Sequence, residues 1–188
     1  PILYPKFNNT LMLHTSELDQ EAYKTKFNSK PIVFGNWKGI MKGENLIPSL
    51  RSSTNDFEFE PLIVNYNQKT HNSFSEYNKV KQKFYTDRDI FLQLSVHEGN
   101  SFATLDAFVC GNVIVATDVG LTFADVPDDC YIKLDYTRIH DTDYVIAKLK
   151  EAWDNKETLA GNARKFFMTH CSMDNWKKQI TSLVNKYK

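Results

Sequence analysis

The sequence predicts an α/β protein with an open, mostly parallel β-sheet and a helical C-terminal end. Short aliphatic and β-branched runs alternate with stretches of helical periodicity along most of the chain. Several of these runs are apolar at every position, which is typical of strands that are covered on both faces. Because parallel strands are joined by crossovers, the intervening helices would supply that cover. The chain has 188 residues, 41% of them hydrophobic, so it can bury a core as one domain.

The predicted elements follow in order along the chain. Strands are predicted at residues 11–13, 32–34, 61–64, 90–94, 113–116 and 131–134. Helices are predicted at residues 17–27, 44–51, 75–84, 102–110, 144–153, 157–169 and 172–187. We expect a single domain over residues 1–188, made of an N-terminal extension (1–30), an α/β core (31–140) and C-terminal helices (141–188). Because the first residue is Pro1, we also expect the sequence to belong to a longer multidomain chain.

Charge and hydropathy argue against two classes of partner. The chain has 23 basic and 23 acidic residues, so its net charge creates no field that would concentrate a nucleic acid. A phosphate site would therefore have to be local. No apolar run reaches the roughly 18 residues that a membrane-spanning helix needs. We expect a protein that neither binds nucleic acid nor spans a membrane.

The cysteines indicate a reducing compartment. Cys110, Cys130 and Cys171 are odd in number, far apart and without a CxxC motif. This pattern fits reduced thiols in the cytoplasm better than disulfides or a zinc site. Such thiols are usually small, buried hydrophobic side chains.

The segment GNWKGIMKG, after the predicted strand at 32–34, contains the first candidate site. Open parallel sheets bind ligands at the carboxyl ends of their strands, where the strand order reverses. Here Lys38 and Lys42 stand four residues apart among three glycines, which suits a phosphate-binding loop. The alternative is that both lysines are solvated surface charges, as most lysines are.

The segment SVHEGNS, after the fourth predicted strand, contains the second candidate site. Ser101 is a plausible N-cap for the helix at 102–110, so the amides of residues 99–102 would point toward an anion. Glu98 would lie beside that anion, where its carboxylate could face a sugar hydroxyl. Asp106 falls about one turn inside the helix and could accept two hydrogen bonds from a ribose. The alternative for the two carboxylates is an exposed cap and an exposed helix face.

Three more residues are candidates near these loops. His97 could donate to a phosphate or act in proton transfer, although a lone histidine beside a strand end is more often structural. Tyr66 and Asn67 follow the strand at 61–64 and could flank a nucleotide base, by stacking or by amide pairing. An ordinary loop is the alternative for both.

The two loops resemble those of a known enzyme family. The run EGNSFATLDAFVCGNVIVATDVG resembles the donor-binding motif of the family 4 glycosyltransferases of GT-B architecture. That motif places Glu-Gly before Glu-Ala, then Cys-Gly, then a strand that ends near Asp-Val-Gly. WKGIMKG resembles the same family's phosphate loop, which usually reads R-x4-K-G. The similarity extends from residue 32 to residue 176.

The resemblance implies a Rossmann-like C-terminal lobe that binds a nucleotide diphosphate sugar, with UDP as the expected nucleotide. It implies glycosyl transfer to a glycan without a metal ion or cofactor. Glu98 would contact the donor sugar, Asp106 the ribose, and Lys42 would neutralise the diphosphate as it leaves. Together with the residues singled out by position alone, the candidate catalytic set is Glu98, Lys42 and His97. The candidate phosphate-binding set is Lys38, Lys42, Gly99, Asn100, Ser101 and Phe102.

The sequence departs from the family pattern at three points. Asp106 replaces the usual Glu and is one methylene shorter, so its ribose contact would be looser or bridged by water. Trp37 occupies the family's arginine position, where Lys38 could substitute with a point charge in place of a guanidinium fork. The chain between Gly35 and Glu98 is short for the family, which predicts a trimmed sheet.

A weaker similarity concerns the later part of the chain. The run DVPDDCYIKLDYTR, with the following AW and NARKFF, resembles glycosyltransferase domains in multidomain proteins of large algal (chlorella) viruses. By association this suggests transfer of L-rhamnose. In GT-B enzymes the acceptor lobe is N-terminal to the donor lobe, and only residues 1–30 precede Pro31. We therefore expect another domain or chain to supply the acceptor site.

Two other functions stay open at this point. A nucleotide-sugar epimerase of GT-B architecture would need acidic and histidine side chains around the sugar, for which Glu98 and His97 are the visible candidates. A non-catalytic binding or interaction module would account for the replacements at Trp37 and Asp106. The sequence contains no nucleophilic Ser or Cys paired with a base and no metal-ligand cluster. This fits a transfer in which the protein mainly orients the donor.

Overall fold

The computed structural model describes residues 16–63, 73–120, 123 and 126–186 of the chain. Within these residues lies a sheet of five parallel strands, in the spatial order β2-β1-β3-β4-β5. The strands are β1 (Ile32–Gly35), β2 (Glu58–Pro61), β3 (Ile90–Gln93), β4 (Val113–Thr117) and β5 (Ile132–Leu134). Every neighbouring pair is parallel. The open parallel sheet predicted from the sequence is confirmed.

Helices cover both faces of the sheet. They are α1 (Ile47–Ser53), α2 (Phe74–Thr86), α3 (Phe102–Cys110), α4 (Thr142–Asp154), α5 (Lys156–Phe166) and α6 (Met173–Lys186). On one face α1 and α4 pack against Val33 and Val115, and on the other α2 and α3 pack against Phe34 and Ile114. Adjacent residues of one strand therefore point to opposite cores, as the pleat requires. Helix α5 contributes to both cores.

The strand order reverses between β1 and β3. From β1 the chain passes to β2 on one side, and from β2 it returns past β1 to β3 on the other side. The connections that leave the carboxyl ends of β1 and β3 therefore diverge, which opens a crevice between them. Lys42 follows β1 and Glu98 follows β3, so the two candidate loops border this crevice.

Most predicted elements are confirmed. The strands predicted at 32–34, 90–94, 113–116 and 131–134 and the six helices predicted after residue 43 all correspond to elements of the fold. The helix predicted at 44–51 begins with a 3₁₀ turn before α1, and the one predicted at 157–169 ends in a turn of π-helix, Phe167–Cys171. The strand predicted at 11–13 lies outside the described residues.

The helix predicted at 17–27 is wrong, because this segment runs as irregular backbone across α2 and α3. Its amides bond to partners in other elements. The Asp19 amide donates to Gln82 Oε1 at 2.8 Å, and the Lys24 amide donates to the Cys110 carbonyl at 2.8 Å. In a helix over residues 17–27 the Lys24 amide would donate to the Gln20 carbonyl, so tertiary contacts override the local helical pattern here.

The strand predicted at 61–64 is displaced, because β2 occupies Glu58–Pro61. Among the described strands, β2 lies at the edge of the sheet and pairs only with β1, in a register that aligns Ile32 with Glu58. An edge strand is buried on fewer sides and tolerates charged residues, so its sequence lacks the continuous apolar run on which the prediction relied.

A buried carboxylate fixes the segment before β1 to the rest of the sheet. Asp89 immediately precedes β3 and is fully buried. It accepts hydrogen bonds from the amides of Asn28 (2.9 Å) and Ile32 (2.8 Å) and from Asn28 Nδ2 (2.8 Å). Lys24 Nζ lies 3.0 Å from its Oδ1 and is itself nearly inaccessible. The buried carboxylate is thus satisfied by three hydrogen bonds and an ion pair, and the nearly buried Lys24 ammonium also donates to the Thr86 carbonyl at 3.2 Å.

We expect Asp89→Ala to lower the free energy of unfolding by about 3–5 kcal/mol, because it leaves the Lys24 ammonium buried and unpaired. Urea denaturation measures this loss. The matched control is Asp87→Ala, which removes an exposed ion pair to Lys83 and should cost no more than about 0.5 kcal/mol. Equal losses in the two variants would contradict the anchoring role of Asp89.

Candidate functional site

A small cavity of about 190 Å³ lies in the crevice between the carboxyl ends of β1 and β3. Its wall combines the loop after β1, the end of β3 and the first turn of α3. The lining residues are Asn36, Lys42, Phe91, Gln93, Ser95, Glu98, Asn100, Ser101, Phe102 and Ala103. Lys42 and Glu98 are the charged residues of this lining, and the candidate loops therefore contribute one charge of each sign.

The two charged side chains form an ion pair. Lys42 Nζ donates to Glu98 Oε1 at 2.8 Å, across 56 residues of sequence. Ser95 Oγ donates to the same Oε1 at 2.9 Å. The side chains of Lys42 and Glu98 are 33% and 15% exposed, so the pair is partly screened from water while it stays accessible from the cavity. The sequence predicted both residues for one site but not their contact.

Glycine positions the loop that holds Lys42. Gly43 has φ +83°, and a Cβ on it would lie 2.6 Å from Leu94 Cβ. Only a residue without a side chain allows this loop to lie so close to the end of β3 in that conformation. The Val96 amide donates to the Met41 carbonyl at 3.0 Å, which joins the two loops directly. The Lys-Gly pair of the motif thus places Lys42 beside the Glu98 loop.

The Glu98 loop is positioned by α3 and by a second glycine. Ser101 is the N-cap of α3, as predicted: its Oγ accepts from the Thr104 amide. Helix α3 therefore begins at the cavity wall, where its dipole favours an anion. Gly120, the glycine of the Asp-Val-Gly sequence, has φ +87°, and a Cβ there would lie 2.7 Å from the Glu98 carbonyl oxygen. The segment that follows β4 thus packs against the Glu98–Gly99 backbone.

A buried polar network at the inner end of the cavity was not predicted from the sequence. Thr104 Oγ1 donates to Gln93 Oε1 at 2.9 Å, and Gln93 Nε2 donates to the Thr117 carbonyl at 3.2 Å. Thr117 Oγ1 in turn donates to the Ser95 carbonyl at 2.5 Å. These bonds connect β3, β4 and α3 behind Glu98. The signal available in the sequence was the occurrence of Gln, Ser and Thr at the ends of otherwise apolar strands.

Asp106 does not line this cavity. It is 3% exposed; Ser16 Oγ donates to its Oδ1 at 2.6 Å, and Lys81 Nζ lies 2.5 Å from its Oδ2. Burial raises the pKa of Asp106, an effect that the Lys81 charge and the two hydrogen bonds partly offset. Contact between this carboxylate and a ribose, which stays a prediction, would require Ser16 or Lys81 to give up its hydrogen bond.

The remaining candidates lie at the margins of the site. Trp37 belongs to the hydrophobic core. It is 4% exposed, and its Nε1 donates to the Leu92 carbonyl at 2.9 Å. Lys38 and His97 are exposed and lie outside the cavity lining. Tyr66 and Asn67 fall outside the described residues, so their base-binding role stays a prediction.

The thiols are poor candidates for chemistry. Cys110, Cys130 and Cys171 are buried thiols that form no disulfide within the described residues. Burial raises the pKa of Cys171 to about 12 and, together with Asp129, that of Cys130 to about 11. The thiols therefore stay protonated near neutral pH, which agrees with the packing role expected from the sequence. Among the described residues, no three His, Cys, Asp or Glu side chains come together as a metal site.

No protein-family model and no curated protein matches the chain in sequence. Solved structures match it in fold. These include a TarM variant of S. aureus in complex with Fondaparinux, α-GlcNAc-glycerol and UDP (TM-score 0.64, 15% identity, 89% of this chain). They also include sucrose-phosphate synthase of Thermosynechococcus elongatus (TM-score 0.66, 14% identity, 95% of this chain). A third is HepE of Anabaena in complex with UDP-glucose (TM-score 0.64, 15% identity, 90% of this chain).

At these identities the likeness shows a shared fold. The chain spans 38% of the TarM chain, 51% of the sucrose-phosphate synthase chain and 56% of the HepE chain. The expected open, mostly parallel α/β fold is thus shared with these solved structures over about nine-tenths of this chain. No helix in the described part of the chain is both long and apolar enough to cross a bilayer.

We expect Gly120→Ala to lower the free energy of unfolding by about 1–3 kcal/mol, because it combines a left-handed backbone with a Cβ that meets the Glu98 carbonyl. Thermal or urea unfolding measures the change. The matched control is Gly161→Ala within α5, where a Cβ would meet no atom within 4 Å. That substitution should raise stability by about 0.5–1 kcal/mol. A Gly120 variant as stable as the parent would rule out the supporting contact.

Proposed function

We propose that this chain is the donor-binding lobe of a glycosyltransferase that uses a nucleotide diphosphate sugar. The observation that supports this most directly is the Lys42–Glu98 pair in the cavity at the start of α3. A cation, a helix N-terminus and a carboxylate then face one small space at the point where the strand order reverses. A diphosphate needs the first two groups, and a sugar hydroxyl is a natural partner of the third.

Glycosyl transfer requires stabilisation of the departing diphosphate. The bond between the anomeric carbon and the β-phosphate oxygen breaks, and its electron pair leaves with the nucleoside diphosphate. The acceptor hydroxyl oxygen bonds to the anomeric carbon and passes its proton to a base, for which His97 beside Glu98 is the candidate in this chain. In our proposal Lys42 and the amides of residues 99–102 stabilise the growing negative charge on the diphosphate. Glu98 orients the sugar, so that the anomeric carbon is held close to the acceptor hydroxyl.

The identity of the nucleotide is the next part of the proposal. TarM and HepE were solved in complex with UDP or UDP-glucose, and both share the fold of this chain over about nine-tenths of its length. We propose UDP as the nucleotide of the donor. Tyr66 and Asn67 are the proposed contacts of the base, and Asp106 is the proposed contact of the ribose once its present partners give way.

Three finer points extend the proposal. We propose that transfer proceeds without a metal ion, with Lys42 taking the role that a divalent cation has in other transferases. L-rhamnose is the specific sugar we put forward, on the strength of the similarity to the algal virus domains. Because the chain spans 38% to 56% of the solved structures it resembles, we propose that another domain or chain holds the glycan acceptor.

We expect saturating UDP to raise the melting temperature of the protein, and Lys42→Met to abolish most of that rise. A ligand at about 100 times its dissociation constant stabilises by roughly 2.7 kcal/mol, which is on the order of 5–11 °C for a domain of this size. A thermal-shift panel of UDP, GDP, ADP, dTDP and CMP, with magnesium or with EDTA, measures nucleotide preference and metal dependence together.

The control for this experiment is Lys30→Met, which removes an exposed lysine at the opposite end of β1. Its melting temperature should rise with UDP as that of the parent does. If no nucleotide raises the melting temperature of the parent, the proposal is wrong. A shift that is the same in Lys42→Met would remove Lys42 from the phosphate site, and a shift that needs magnesium would overturn metal independence.

A further inference from the structure

The cavity contains one formal charge of each sign. Among its lining residues, the Lys42 ammonium and the Glu98 carboxylate are the formal charges, and they contact each other at 2.8 Å. The cation that the proposed function assigns to the diphosphate is therefore also the partner of Glu98. A diphosphate that binds Lys42 would compete with Glu98 for this ammonium.

The geometry favours such an exchange over a permanent pair. Lys42 lies on a glycine-flanked loop, and a third of its side chain is exposed, so its ammonium can turn toward the cavity. Glu98 is held differently. Its Oε1 also accepts from Ser95 Oγ at 2.9 Å, and Ser95 is 2% exposed at the end of β3. When Lys42 turns away, the carboxylate keeps one hydrogen bond and stays in the cavity.

We infer that Glu98 is an internal counter-ion of Lys42 that competes with the diphosphate. It thereby lowers the affinity of the site for the nucleoside diphosphate product. This inference rests on the proposed function and adds a regulatory element to the same site. While the donor is bound, Lys42 contacts the diphosphate and Glu98 is free to accept from the sugar. After the sugar has gone, Glu98 has no hydroxyl partner, and the ion pair can form again as UDP leaves.

The inference predicts an unusual effect of removing a charge from a binding site. Glu98→Gln keeps the shape of the side chain and an oxygen for Ser95 but removes the counter-ion. It should tighten UDP binding by about two- to fivefold, the range expected for a partly exposed ion pair. The same variant should bind a UDP-sugar with less advantage over UDP, because the amide replaces the carboxylate at the sugar.

A double-mutant cycle separates competition for Lys42 from plain repulsion between Glu98 and the diphosphate. UDP dissociation constants are measured by calorimetry, at one ionic strength, for the parent, Glu98→Gln, Lys42→Met and the double variant. Competition predicts that Glu98→Gln tightens UDP binding only while Lys42 is present. In the Lys42→Met background the substitution should leave the dissociation constant unchanged.

The matched control is Glu157→Gln, which removes the carboxylate of an exposed lysine–glutamate pair on α5, away from the cavity. It should not change UDP binding.

Unchanged or weaker binding by Glu98→Gln, in a parent that binds UDP, overturns this inference and leaves the proposed function intact. Equal tightening in both Lys42 backgrounds overturns it as well, in favour of simple repulsion. If neither the parent nor any variant binds UDP, the proposed function fails and this inference fails with it. The melting temperature of each variant, measured without ligand, shows whether that variant is folded.

Discussion

The reversal of strand order between β1 and β3 is the constraint on which the rest of the site depends. All the strands in the described sheet are parallel, so every connection must return across a face of the sheet before the next strand begins. The connection after β1 leads to one side and the connection after β3 to the other. The space that opens between them contains the cavity, and residues far apart in sequence meet there.

Close approach of backbone segments turns this crevice into a defined site. Gly43 lets the β1 loop lie against Leu94, and Gly120 lets the end of β4 lie against the Glu98 carbonyl. Behind them, Gln93 and Thr104 join β3 to α3. Because these contacts come from three different strands and one helix, the positions of Lys42 and Glu98 follow from the packing of the whole sheet.

The electrostatics of the protein are local. The overall charge is zero, yet three buried or partly buried carboxylates are each matched by a lysine: Asp89 by Lys24, Asp106 by Lys81 and Glu98 by Lys42. The first two pairs also hold the N-terminal segment, through Asn28 at Asp89 and Ser16 at Asp106. They fix the fold. The third faces a cavity, and this accessibility is what distinguishes a pair available for ligand exchange from a pair that is structural.

The sequence by itself determined the fold class, most of the elements and the two loops of the site, because these depend on local hydrophobic periodicity and on short motifs. Helix α3 was predicted to the residue, together with its Ser101 cap. The segment at 17–27 was mispredicted because its amides bond to Gln82 and Cys110 from other elements, and such long-range bonds leave no local pattern. Only the tertiary structure decided that Lys42 meets Glu98 while Asp106 is held by Lys81. A contact across a parallel sheet depends on strand order and on side-chain packing, which periodicity does not encode.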